Sequence, residues 1–338
     1  MVALATDFPS DLTLAQRDTA TLRRVYGAAV IQTAVALHKW VARPDQRALA
    51  LVLAELPDQH LRVLLRDPST AVLDRTLLLQ PCPLTIQSQT EVANALASRL
   101  RNPQAPPGDE IALHPAFPGV VLALSDHNPL PIFAEHPERR GNVVGLGPRL
   151  LQEWTAMLQQ CLDLVARYLP LLADEMRMLL RRLVPAGFDA EKHQSASYLH
   201  NLGVIYLTLH PAVMTMTEAL IHEFQHNKLH ALLQGDAVIV NGGAAQFASP
   251  VRPDARPLRG VVLAVHAFLP VAELYRRMAA AGDPLSRSRY FGERFAQICA
   301  INRAGCATLR ANAQWTVVGR NLWAEMDRLD KGFADSAP

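Results

Sequence analysis

The sequence predicts a mainly helical α+β protein, in which a helix carrying His-Glu-x-x-His packs beside a short sheet and a helical layer occupies the N-terminus. Three observations predict it. Asp11 to Leu65 places Leu14, Leu22, Val25, Ala29 and Ala36 at three-to-four spacing. Apolar helical runs recur at about 150–183 and through the segments around His222 and His266. Short β-branched and aromatic runs, VVLALS and VIYLTL, fall between them beside turn residues.

In chain order, the N-terminal periodicity restarts at Pro44-Asp45, as a helix start would. Prolines and glycines accumulate from Asp74 to Gly147, with the sharpest break at NPQAPPGDE, Asn102–Glu110. The expected division is a helical N-terminal region, residues 1–110, and a catalytic region, residues 111–338. IALHPAFPGVVLALS then predicts one or two strands. A long helix is predicted from about Leu150 to Leu183, kinked at Pro170. SYL and VIYLTL predict two strands joined by a turn around Asn201 and Gly203, the second leading straight into the His-Glu helix.

With 338 residues, half of them apolar, the chain can bury an enzyme-sized core. Net charge is only +2, Lys occurs only at Lys39, Lys192, Lys228 and Lys331, and the arginines are scattered, which argues against nucleic acid as a partner. No basic-then-apolar N-terminal segment is present, and the apolar stretch Gly260–Ala272 is too short to span a bilayer, so a cytoplasmic protein without a membrane partner is expected. Cys82, Cys161, Cys299 and Cys306 form no Cys-x-x-Cys, so each is expected to be a small buried residue.

The chemistry concentrates in IHEFQHNKLHALL, Ile221–Leu233. Residues four apart on a helix share a face, so His222 and His226 can direct two imidazoles at one metal ion. Glu223 is placed as the general base of a zinc hydrolase would be. The peptidase signatures are nevertheless incomplete: position 232 is Leu where a third His would follow in one class, and the first later Glu is Glu273. His230 continues the row but lies roughly 12 Å from His222 along the helix, beyond one coordination sphere. His266, in the apolar helix RGVVLAVHAFLPVAELY, is the candidate third ligand. Three imidazoles with open positions suit Fe(II) and dioxygen, or Zn(II) and water. Between the two segments, SPVRPDARPLRG interleaves Arg252, Arg256 and Arg259 with prolines, either a stiff carboxylate clamp or a solvated basic loop.

HQSASYLHNLGVIYLTLHP, TEALIHEFQHNKLHALL and SPVRPDARPLRGVVLAVHAFLPVAELY together resemble the HExxH-motif peptide-modification family of ribosomally synthesised, post-translationally modified peptide clusters. The resemblance is strongest over Ser195–Tyr275; DHNPLPIFAEHPERRGN, Asp126–Asn142, shares it, and the N-terminal third adds little. It implies an Fe(II)- and 2-oxoglutarate-dependent hydroxylase acting on a side-chain β-carbon of a precursor peptide, with other peptide-modifying enzymes as further candidate partners. By position, His222, His226 and His266 would hold Fe(II), and Arg252 and Arg256 would hold 2-oxoglutarate. Glu223 would then orient a polar partner rather than activate water. A Zn(II) hydrolase using Glu223, and a non-catalytic peptide-binding protein, are the alternatives. The peptide is expected to pair with the strand edge around Ser195–Tyr198.

Overall fold

The computed structural model describes residues 110–126, 144–199, 201–233, 236–243, 245–249, 251 and 254–334. The expected N-terminal helical layer lies outside them, as do Cys82 and most of Asp126–Asn142. The described part is α+β as predicted, mostly helical with a five-stranded mixed sheet and a small hairpin.

Two compact units divide these residues. The first is built on a sheet of strands β1 (Glu110–Ala112), β2 (Val121–Ala123), β3 (Arg182–Phe188), β4 (Ser195–Ala196) and β5 (Val204–Leu209), in spatial order β1-β2-β3-β5-β4. β2, β3 and β5 run parallel, and β1 and β4 close the two ends antiparallel. All of β5 is buried, which is why VIYLTL reads as an unbroken apolar run rather than an alternating one. Val184, Ala186, Val204 and Tyr206 form a core on one face, and the Tyr206 hydroxyl accepts from Asn201 Nδ2 at 2.8 Å, which settles its polar end.

The predicted helix at 150–183 is two helices, α1 (Leu151–Tyr168) and α2 (Pro170–Leu179). Pro170 starts α2 rather than kinking one continuous helix, consistent with proline's tolerance at a first helical position. The helix also stops short of Leu183, because Arg182–Phe188 forms the central strand β3. The strand pairs with β5 up to Pro185, then shifts register before Phe188, with Gly187 at φ +85°.

The second unit holds most of α1, all but the last residue of α2, then α3 (Val213–Leu233), the hairpin β6 (Gln246–Phe247) and β7 (Arg256–Pro257), α4 (Leu258–Ala280), a short 3₁₀ turn at Pro284–Arg287, α5 (Arg289–Asn312) and α6 (Val317–Ala334). α4 packs against both α3 and α5. The apolar stretch at Gly260–Ala272 proves to be part of this 23-residue helix, which is long and apolar enough by length and composition to cross a membrane, although most of it is buried within the protein. Cys161, Cys299 and Cys306 are buried and free, as expected.

Buried ion contacts tie the helices of this unit together. Tyr275 on α4 donates to Glu218 on α3, and Arg294 on α5 grips the same carboxylate at 2.7 Å, so one acid joins three helices. Glu273 on α4 is nearly fully buried and accepts from Arg276 and Arg277, each at 2.7 Å. Burial opposes its ionisation, yet the two guanidinium groups outweigh burial and hold its carboxyl below the ordinary 4.5. A carboxyl depressed in the folded state stabilises above its unfolded pKa and loses that contribution as pH falls through the folded value. Glu273→Gln is therefore expected to lower Tm at pH 7 and to converge on the wild type in acid, measured by thermal melts across that range.

Candidate metal centre

α3 is buried on almost every side. His222, His226 and His230 form its half-exposed stripe, each four residues from the last, so they advance along one face while the rest of the helix packs inward. The rings of His222 and His226 lie with centroids 4.4 Å apart at 79°, and His226 and His230 with centroids 6.2 Å apart. The predicted pairing of His222 with His226 is thus present. Glu223, one residue on, is 100° around the helix and buried.

α4 brings the third histidine to this helix. The His222 ring packs on Phe268 at 4.6 Å, and Gln225 Nε2 donates to the backbone carbonyl of His266 at 3.2 Å. His266 is completely buried, and neither ring nitrogen has a hydrogen-bond partner. Burial, reinforced by the nearby positive charges of Lys228, His226 and His230, holds its pKa well below 6.5, so the ring is a neutral imidazole.

Among the described residues, no three His, Cys, Asp or Glu side chains already converge as a ligand set. The residues fit a metal ion on two counts. His222 and His226 are adjacent with the spacing a shared ion requires. His266, on the facing helix, carries two orphaned nitrogens in a setting where an unsatisfied polar group costs about 1–3 kcal/mol, and an ion would satisfy one of them.

The three arginines of the proline-rich segment differ in circumstance. Arg252 lies outside the described residues. Arg256, on β7, is ion-paired with Asp254 at 3.4 Å. Arg259 is exposed and, among the described residues, makes no side-chain hydrogen bond or ion pair. It borders a cavity of about 500 Å³ shared with Leu233, Asp236, Ile239, Val240 and Gly242, at the end of the histidine stripe.

Val238 lies in the chain between Ala237 and Ile239 of that cavity's lining. Val238 adopts φ +64°, unusual for a β-branched residue. Its amide donates to Asp236 Oδ1 at 2.6 Å, as does the Thr316 hydroxyl. Its carbonyl runs so close to Gly319 on α6 that a Cβ there would sit 1.8 Å from the oxygen. Gly319→Ala should accordingly shift this loop, seen as altered protease susceptibility near Val238 and a lowered Tm.

Sequence reasoning missed the partners that hold the site. Lys228, only 2 % exposed, pairs with the fully buried Glu175 of α2 at 2.9 Å, two residues past His226. No local signal marked the pair, because Lys228 stands among other polar residues of HEFQHNKLH. Comparison with known families finds no model that matches the chain, and comparison with curated proteins finds no match.

Proposed function

We propose that the protein is an Fe(II)- and 2-oxoglutarate-dependent oxygenase that hydroxylates a side-chain β-carbon of a ribosomally made precursor peptide, with His222, His226 and His266 as the metal ligands. The observation that carries the metal reading is His266: an imidazole with no exposure and no hydrogen-bond partner, opposite a His-Glu-x-x-His helix. The choice of iron and of the peptide substrate rests on the resemblance over Ser195–Tyr275.

Bound there, Fe(II) with 2-oxoglutarate and dioxygen supplies the oxidising power that replaces a C–H bond by C–OH, with succinate and carbon dioxide as co-products. The chain supplies the rest. Imidazole ligands bring no negative charge to the ion, which favours an anionic cosubstrate, for which Arg252 and Arg256 are the candidates. Apolar side chains of α3 and α4, Ile221, Phe224, Val262 and Val265 among them, keep bulk water from the back of the site. Glu223, buried and off the half-exposed stripe, suits an orienting role better than that of a base exposed to substrate.

Arg259 supplies an anchor for a carboxylate on the peptide. Leu233, at the cavity, is seven residues beyond His226, roughly 10 Å of helix at 1.5 Å per residue, or about three residues of extended chain. Arg259→Gln should raise KM for an acidic precursor tenfold or more with little change in kcat, measured by initial rates against peptide concentration. The segment Ser195–Tyr198, which includes β4 at the end of the sheet, is the candidate for backbone pairing with the peptide, and unchanged peptide affinity after replacement of Ser197 and Tyr198 would remove it from consideration.

The direct test is to incubate the protein aerobically with Fe(II), 2-oxoglutarate and the precursor peptide. Stoichiometric succinate and a peptide heavier by one oxygen atom are expected. Peptide cleavage with Zn(II) and no succinate would instead identify a hydrolase.

A further inference from the structure

α4 contains a proline in its interior, Pro270. An α-helix bonds each N–H to the carbonyl four residues earlier, and proline has no N–H to give. The carbonyl deprived of its helical donor by Pro270 is that of His266. His266 is fully buried, so bulk water does not reach it. Its carbonyl instead accepts from Gln225 Nε2 at 3.2 Å, and Gln225 is itself completely buried. The acceptor released by the proline therefore belongs to the candidate third ligand, and the donor comes from within His-Glu-x-x-His on the facing helix. Asn302 on α5 steadies the same stretch by donating to the Phe268 carbonyl at 3.1 Å.

We infer that Gln225 is a positioning residue: its amide replaces the helical hydrogen bond that Pro270 removes, and so fixes the backbone of His266, and with it the imidazole, against His222 and His226. A ligand on a separate helix needs such a device, because helix packing alone allows sliding and rotation that would carry the ring out of reach. The metal part of this inference rests on the function proposed above. The hydrogen-bond linkage does not.

The linkage predicts coupling between two substitutions. Pro270→Ala restores an N–H that can bond the His266 carbonyl within α4, so Gln225 becomes dispensable. Gln225→Met, close in shape but without the donor, should lower Tm and weaken Co(II) binding, read from visible absorption, by tenfold or more. In the Pro270→Ala background the same substitution should lower Tm by less than half as much, and Co(II) affinity should recover most of the loss. If Gln225→Met alone is insoluble, recovery of soluble protein in the double variant is the expected result. Equal effects in both backgrounds would overturn the inference, leaving Gln225 as a packing residue. Coupled melting temperatures in a wild type that takes up no Co(II) would preserve the hydrogen-bond linkage but overturn both the metal reading and the positioning role.

Discussion

His266→Leu should abolish metal binding while making the metal-free protein more stable. The two effects have one origin. The imidazole is buried with both nitrogens lacking hydrogen-bond partners. Such a group costs about 1–3 kcal/mol relative to an apolar residue of similar size, so leucine should add up to that much to the stability measured by denaturant titration in chelator. The same substitution removes one of three proposed ligands, and Co(II) affinity should fall at least a hundredfold. Natural proteins accept local instability where function demands it. If the leucine variant is instead markedly less stable than the metal-free wild type, His266 is a satisfied core residue and the metal reading loses its main support.

Removing one member of the Lys228–Glu175 pair should be the most destabilising single change in the described core. Both side chains are almost completely buried, so Lys228→Met would strand a carboxylate in the interior, at a cost of roughly 3–5 kcal/mol. Glu175→Leu should cost about as much by stranding the ammonium. The double variant, with neither charge of the pair left, should return close to wild-type stability or exceed it. Equilibrium unfolding of the four proteins gives the cycle directly, and additive losses would show that the pair is not an isolated interior contact. Because the pair joins α2 to the helix of His222 and His226, the double variant also separates the stability of α3 from its metal affinity.

The fold was legible wherever a local pattern carries the information. α3 and α4 stand out as long apolar stretches, and β5 as a β-branched run after a turn. β3 was not legible. RLVPAGF follows a helix almost without punctuation, and it contains a proline, which normally argues against a central strand. Only pairing with β2 and β5, remote in sequence, settles its state.

The candidate site divides the same way. His222 and His226 follow from the spacing of four, and His266 from its isolation in an apolar helix. Gln225, Pro270, Lys228 and Glu175 act through the way α3 meets α4 and α2. Glu175 and Lys228 are 53 residues apart in sequence, and Gln225 and His266 are 41. No local period encodes those distances. The proline-rich segment shows the limit most clearly: two of its arginines, alike in sequence, end with different surroundings, Arg256 against Asp254 and Arg259 facing a cavity.

The central claim is that His222, His226 and His266 together hold a metal that takes up 2-oxoglutarate. The most direct test is anaerobic addition of Fe(II) and then 2-oxoglutarate to the purified protein, followed by visible absorption, in the wild type and in His266→Ala. A charge-transfer band that appears in the wild type on adding 2-oxoglutarate and is missing in the variant is the predicted result. Absence of the band in the wild type, or a band of equal intensity in His266→Ala, would contradict it.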